Sequence, residues 1–261
     1  MSPVGNDVVD LAAPGNIGKS SDTRFCRRVF TAEERNWIAG AALPDALLWA
    51  IWAAKEAAYK AVSRDNPAVC SIPRRYKING DSSRFIFRGE VNYPADGVGH
   101  LKERDERDCS PLSPAPYSSP PTGRGILREN FINREFSLFI STPRGELALR
   151  IDATKERVHA VAAESEVDIA RLCRRVDCLD GAGEPSAFVR KNLLREIARS
   201  IGCSAGDLHI AKDQAGPGAP RVLLRHRLLT TEISLSHDGR FAAFAFDPIA
   251  LIPAFKIRME P

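Results

Sequence analysis

The chain has 261 residues, enough for one large domain or two lobes with separate cores, and its 44% hydrophobic and 27% charged residues are the balance of an ordinary globular protein. No apolar run reaches the roughly 18 residues of a helical membrane span, and the first residues lack the basic, apolar and small-residue order of a secretory signal. A formal charge of +4 favours acidic or phosphorylated partners without by itself indicating nucleic acid, and the 6 scattered cysteines form no CxxC pair, so free thiols in a reducing cytoplasm are expected.

In chain order, Val4 to Leu11 reads as a short buried strand of apolar residues around Asp7. Thr31-Ala-Glu-Glu34 is a capping-box pattern that starts a helix running to about Ala39. Pro44-Asp45 opens a stronger helix to about Val62, with Leu47, Leu48, Ile51 and Trp52 at helical spacing. Residues 70–92 have strand character, with alternation at 84–88. The stretch 97–128 is charged and then rich in Ser and Pro, a composition that buries little apolar surface and predicts a mobile loop.

Strands resume at Phe136–Ile140 and Leu147–Ile151. Pro185 opens a helix to Ile201 that Gly202 ends as a left-handed cap, with Val189, Leu193, Ile197 and Ile201 on its buried side. Its Lys191, Arg195 and Arg199 form a basic row, as Arg24, Arg27 and Arg28 do earlier; a solvated helix face is the plain alternative for each cluster. Gly216 to Pro220 is a turn, and Ile233 to Phe246 reads as a hairpin around Asp238-Gly239. Arg157–Ala163 and Arg240–Phe246 echo one another at an offset of 83 residues. The division expected is two α+β lobes, roughly 1–165 and 166–261.

The chemistry concentrates in three segments. Glu56 and Lys60 lie four apart on a helix and so share a face. An exposed ion pair is the common fate of that spacing, but this helix is too apolar to be free in solvent, so the pair lines a cleft. Asp7 interrupts an apolar strand and needs a partner. A divalent cation shared with Glu56 satisfies both acids, and two carboxylates plus substrate oxygens and water suit Mg2+. Ser234, Ser236 and His237 end a strand, where they can donate hydrogen bonds to a phosphate-bearing ligand. Ser236-His237 is unconvincing as a nucleophile pair, because strand neighbours point to opposite faces. Gly123-x-Gly and Gly216-x-Gly lack the strand-to-helix context of a nucleotide fingerprint.

With these residues in place, the chain resembles the 4′-phosphopantetheinyl transferase superfamily. The resemblance rests on Gly5-Asn6-Asp7, on Trp52-Ala-Ala-Lys55-Glu56-Ala-Ala-Tyr59-Lys60, on Ser234-Leu-Ser236-His237, and on Arg24-Phe25-Cys-Arg-Arg28 leading to Thr31. It covers about 5–63 and 186–246. It implies an α+β pseudo-dimer of two similar lobes, each an antiparallel sheet packed against a long helix. The lobe order is circularly permuted, because the segment bearing Asp7 and Glu56 comes first. The rival topology is a short subunit with a long insertion at 65–185 that trimerises.

By the same resemblance, Mg2+ sits on Asp7 and Glu56, with Glu56, Lys60 and Lys55 as catalytic groups. Ser236, His237, Arg195, Arg221 and Pro220 hold coenzyme A, and Arg221 takes over the contact of a lysine that Ala219 replaces. Val9 stands where many two-lobed members have a second acid. The implied reaction moves 4′-phosphopantetheine from coenzyme A to a serine of an acyl or peptidyl carrier protein in the cytoplasm, with no nucleic acid and no membrane involved. Arg24, Arg27 and Arg28 would dock the carrier. A member that binds coenzyme A or a carrier without catalysis is the alternative.

Overall fold

The computed structural model describes residues 2–64, 68–80, 134–179, 181, 183–211 and 220–251. The strand alternation at 84–88, the Pro-rich 97–128 stretch and the glycine turn before Pro220 lie outside the described residues. The chain is α+β, with antiparallel sheets and five α-helices among the described residues.

β1 (Val4–Asp10) leads through α1 (Thr23–Val29) and α2 (Ala32–Gly40) into α3 (Pro44–Ser63). Thr31 and Glu34 close the expected capping box at the start of α2, and a proline opens α3. A five-stranded sheet follows from β2 (Lys77–Asn79), β3 (Arg134–Thr142), β4 (Gly145–Ala153) and β5 (Arg157–Ala163), in the order β1-β5-β4-β3-β2. α4 (Glu166–Arg171) then connects to β6 (Cys173–Cys178), and α5 (Pro185–Ile201) ends on Gly202 at φ 69°. β7 (Leu208–Ala211), β8 (Arg221–Leu224) and β9 (Arg227–Leu228) form one small sheet. β10 (Ile233–Asp238) and β11 (Phe241–Phe246) pair with β6 in the order β10-β11-β6.

β1 has two working faces. Gly5 lies against α3 so closely that a Cβ there would collide with the Ala57 carbonyl and stand 2.8 Å from the Ala61 amide nitrogen. Alternation puts Asp7 and Val9 on that same helix-facing side, with their β5 partners Ala160 and Val158. The small residues of β5 and the alanines of α3 let helix and sheet approach, and Ala53, Ala54, Ala57 and Ala58 are fully buried. Gly5→Ala is therefore expected to cost at least the ~1–3 kcal/mol of overpacking, read as a lowered denaturant midpoint at unchanged slope.

The other face of β1 meets β10 and β11. Val8 packs with Phe241, Ala243 and Val176, and Val4 and Val161 pack with Ala245. Alternate residues of β11, namely Ala242, Phe244 and Phe246, turn instead to Val189, Leu193 and Ile197 of α5. This corrects the 83-residue echo. Ala160 faces its own helix α3, whereas Ala243, its counterpart at that offset, faces away from α5. Only an even offset preserves the faces, since a one-residue slip exchanges inside for outside.

Arg64, just past the end of α3, ties that helix to the start of β10 and to the residue before β8. Its guanidinium pairs with Glu232 and donates to the carbonyls of Ile233 and, at 2.9 Å, Pro220. Among the described residues no helix is long and apolar enough to cross a membrane, and Cys26, Cys70, Cys173, Cys178 and Cys203 are free thiols.

Candidate functional site

The helix-facing side of β1 and the middle of α3 bring Asp7, Glu56 and Lys60 together. Lys60 Nζ lies 2.7 Å from Asp7 Oδ1 and donates at 3.0 Å to the Asn6 carbonyl. Burial pushes the Asp7 carboxyl up, and this outweighs the opposing charge of Lys60. Burial likewise raises Glu56, with the Asp7 charge adding to it and Lys60 opposing it. Two half-desolvated carboxylates within electrostatic reach of each other are an unfavourable arrangement that a divalent cation would relieve.

The donor set fits such an ion. Among the described residues no cluster of three or more His, Cys, Asp or Glu side chains occurs, so an ion on Asp7 and Glu56 would complete its shell with water and substrate oxygens. Val9, buried on the face that carries Asp7, contributes no ligand.

Lys55 is placed elsewhere. It is 1% exposed, lies 2.8 Å from the buried Glu34 carboxylate, and donates to the carbonyls of Pro73 and Tyr76. Those contacts occupy its three N–H groups, so it anchors α2 and the 73–76 turn to α3. A direct role at the reacting oxygens, as expected from the resemblance, has no support in these contacts.

The serines of the third motif act across the sheets. Ser234 Oγ accepts from the Asn6 amide at 2.8 Å, and the Ser236 hydroxyl donates to Asn6 Oδ1 at 2.7 Å. Both serines are buried, so the Ser236 hydroxyl expected on coenzyme A is already engaged. His237 is exposed, and its charge and that of Asp238 both act on Asp7, which brings the end of β10 within electrostatic reach of the acid pair. Asp238 turns toward β1 and accepts from the Asp10 amide at 2.8 Å and Asn16 Nδ2 at 2.9 Å. Pro220 lends its carbonyl to Arg64, while Arg195 and Arg221 are exposed on α5 and β8.

Sequence reasoning missed Asn6 and the pair Asp10–Arg240. Arg240 donates to Asp10 from its backbone N–H, Nε and Nη2 at 2.8–2.9 Å. These bonds hold the Asp10 carboxyl down to about 2, below its ordinary 3.8. A depressed carboxyl contributes stability that is complete above 3.8 and is lost as pH falls toward 2. Asp10→Asn is accordingly expected to flatten that acid limb of the unfolding profile, measured by urea titration between pH 5 and pH 2. The signal for the pair was an acid on the apolar strand beside Asp7 and a lone arginine following a glycine turn.

α1 carries the remaining motif. Phe25 packs against Trp49 at 6.0 Å and Trp52 at 5.7 Å between ring centroids, which fixes α1 on α3 and leaves Arg24, Arg27 and Arg28 exposed.

The helix α3 packed on the antiparallel sheet thus carries an acid pair and a lysine at their seam. Residues 3–84, which contain Asp7, Glu56 and Lys60, match the family model of the 4′-phosphopantetheinyl transferase superfamily, a superfamily of transferases. The match runs from β1 past β2 and leaves the rest of the chain outside it. No curated protein and no solved structure matches the chain.

Proposed function

We propose that this chain transfers the 4′-phosphopantetheine group of coenzyme A to a serine hydroxyl of an acyl or peptidyl carrier protein. The serine oxygen forms a new bond to phosphorus, the pyrophosphate bond breaks, and adenosine 3′,5′-bisphosphate leaves. The observation that carries the reading is the convergence of Asp7, Glu56 and Lys60 inside the segment that matches the transferase superfamily.

Mg2+, held by Asp7 and Glu56, would supply positive charge to the pyrophosphate. Lys60 adds a second positive charge at the same place. Glu56, or a water on the Mg2+ ion, would accept the serine proton. His237, at the exposed end of β10, is positioned to meet the nucleotide end of coenzyme A, with Arg221 and Arg195 as further cations. The exposed Arg24, Arg27 and Arg28 on α1 suit an acidic carrier of the kind that serves fatty acid or polyketide biosynthesis in the cytoplasm.

We also read the architecture as a permuted pseudo-dimer with lobes at roughly 1–165 and 166–261. In support, the first strand of each large sheet is followed by a long helix and pairs antiparallel with the last strand, β1 with β5 and β6 with β11. Incubation with coenzyme A, Mg2+ and an apo carrier, followed by weighing the carrier, tests the function. A gain of one phosphopantetheine supports it. Binding of coenzyme A without a mass gain would leave the non-catalytic alternative.

A further inference from the structure

A second polar cavity, of about 330 Å³, opens on the face of the first sheet opposite α3. Glu135, Asp152, Arg157 and His159 come to it from β3, β4 and β5, and Arg174 and Arg175 from β6. Asp7 and Glu56 do not line it.

Two of its polar atoms are buried and without a partner, Arg157 Nη1 and His159 Nε2. The guanidinium can only donate, its Nη1 is out of solvent although Arg157 as a whole is half-buried, and His159 is 2% exposed. Burial and the charges of Arg157 and Arg174 push the His159 imidazole down to about 3, so it stays neutral and keeps one N–H to offer. Leaving buried donors unmet is costly, which makes an acceptor with several lone pairs the natural occupant.

The charges around the cavity favour an anion. Arg157 and Arg174 face two carboxylates that already have cationic neighbours: Glu135 pairs with Arg150, and Asp152 lies 3.9 Å from Arg174. Arg175 is held 2.6 Å from Asp177 at the rim. A tetrahedral dianion can accept from Arg157 and His159 together while drawing Arg174 inward, and its charge exceeds what a single carboxylate would offer.

We propose that this cavity binds a phosphate dianion, either free inorganic phosphate or the phosphate of a small organic monoester, at a site separate from Asp7 and Glu56. The assignment does not depend on the transferase reading.

The test uses the full-length protein labelled with 15N-histidine, the His159 imidazole being assigned by its loss in His159→Gln. Inorganic phosphate and adenosine 3′,5′-bisphosphate are titrated in separate arms without added metal, with sodium chloride matched in ionic strength. Saturable movement of the His159 resonance with inorganic phosphate supports a free-phosphate site. Movement only with the bisphosphate supports a monoester site. Arg174→Ala, at the half-buried rim, is expected to weaken binding by about tenfold, and Asp152→Asn to strengthen it by removing a competing carboxylate. An unmoved His159 resonance in both arms at millimolar ligand overturns the proposal. So does binding of equal strength in wild type, Arg174→Ala and Asp152→Asn.

Discussion

Glu56→Gln protein, mixed with coenzyme A, Mg2+ and an apo carrier, is expected to leave the carrier's mass unchanged over a time in which the wild type modifies it fully. The substitution keeps the size of the side chain and, on the proposed function, removes both a metal ligand and a proton acceptor, each worth roughly 10²-fold or more in rate. The same protein should unfold no more easily than the wild type. Glu56 is half-buried within electrostatic reach of Asp7, and its raised carboxyl means the ionised form is disfavoured in the folded state. Such a group favours folding increasingly as pH falls through its folded value toward the ordinary 4.5, and its charge opposes folding above that range. Loss of turnover with an equal or higher melting temperature at pH 8 is the signature of a group kept for chemistry. Retained turnover would remove Glu56 from the site.

Arg64→Ala is expected to have the largest effect on stability. It strips the buried Glu232 carboxylate of its cation and leaves the Pro220 and Ile233 carbonyls without this donor. Breaking a buried pair from one side costs about 3–5 kcal/mol, on the order of a 10 °C fall in melting temperature for a chain of this size. Replacing both members with apolar residues, Arg64→Leu with Glu232→Leu, should recover part of the loss, because no charge is then left stranded. Calorimetry of the single and double variants checks both statements. A single variant that melts with the wild type would show that stability does not depend on this pair.

The long-range periodic elements were legible. The proline-opened α3, the capping box before α2, the glycine-ended α5 and the β10–β11 hairpin all occur where the residue pattern puts them. Others were not, β6 and α1 among them. β6 reads Cys-Arg-Arg-Val-Asp-Cys, whose charged residues pair with Asp152, Asp177 and Glu196 and hide the alternation of an edge strand. α1 is a short basic segment that depends on Phe25 reaching the tryptophans of α3, a contact no local pattern reveals.

The site was legible where one helix turn or one strand carried it, as with Glu56, Lys60 and Asp7. It was not legible where a side chain serves a neighbour distant in sequence. Lys55 differs from Lys60 only by which side of the helix it occupies, and Glu34, its partner, lies in another helix. Ser236 has the look of a ligand-binding hydroxyl, yet its partner Asn6 stands 230 residues away.

That long reach bears on how the protein is made. The strand that carries Asp7 is synthesised well before the hydroxyls that grip the adjoining Asn6. A chain halted after the opening sheet would hold Asp7, Glu56 and Lys60 and still lack the serines that bond to Asn6. On the proposed function, truncated products should therefore be inert, and turnover should appear only once the β10–β11 hairpin is made.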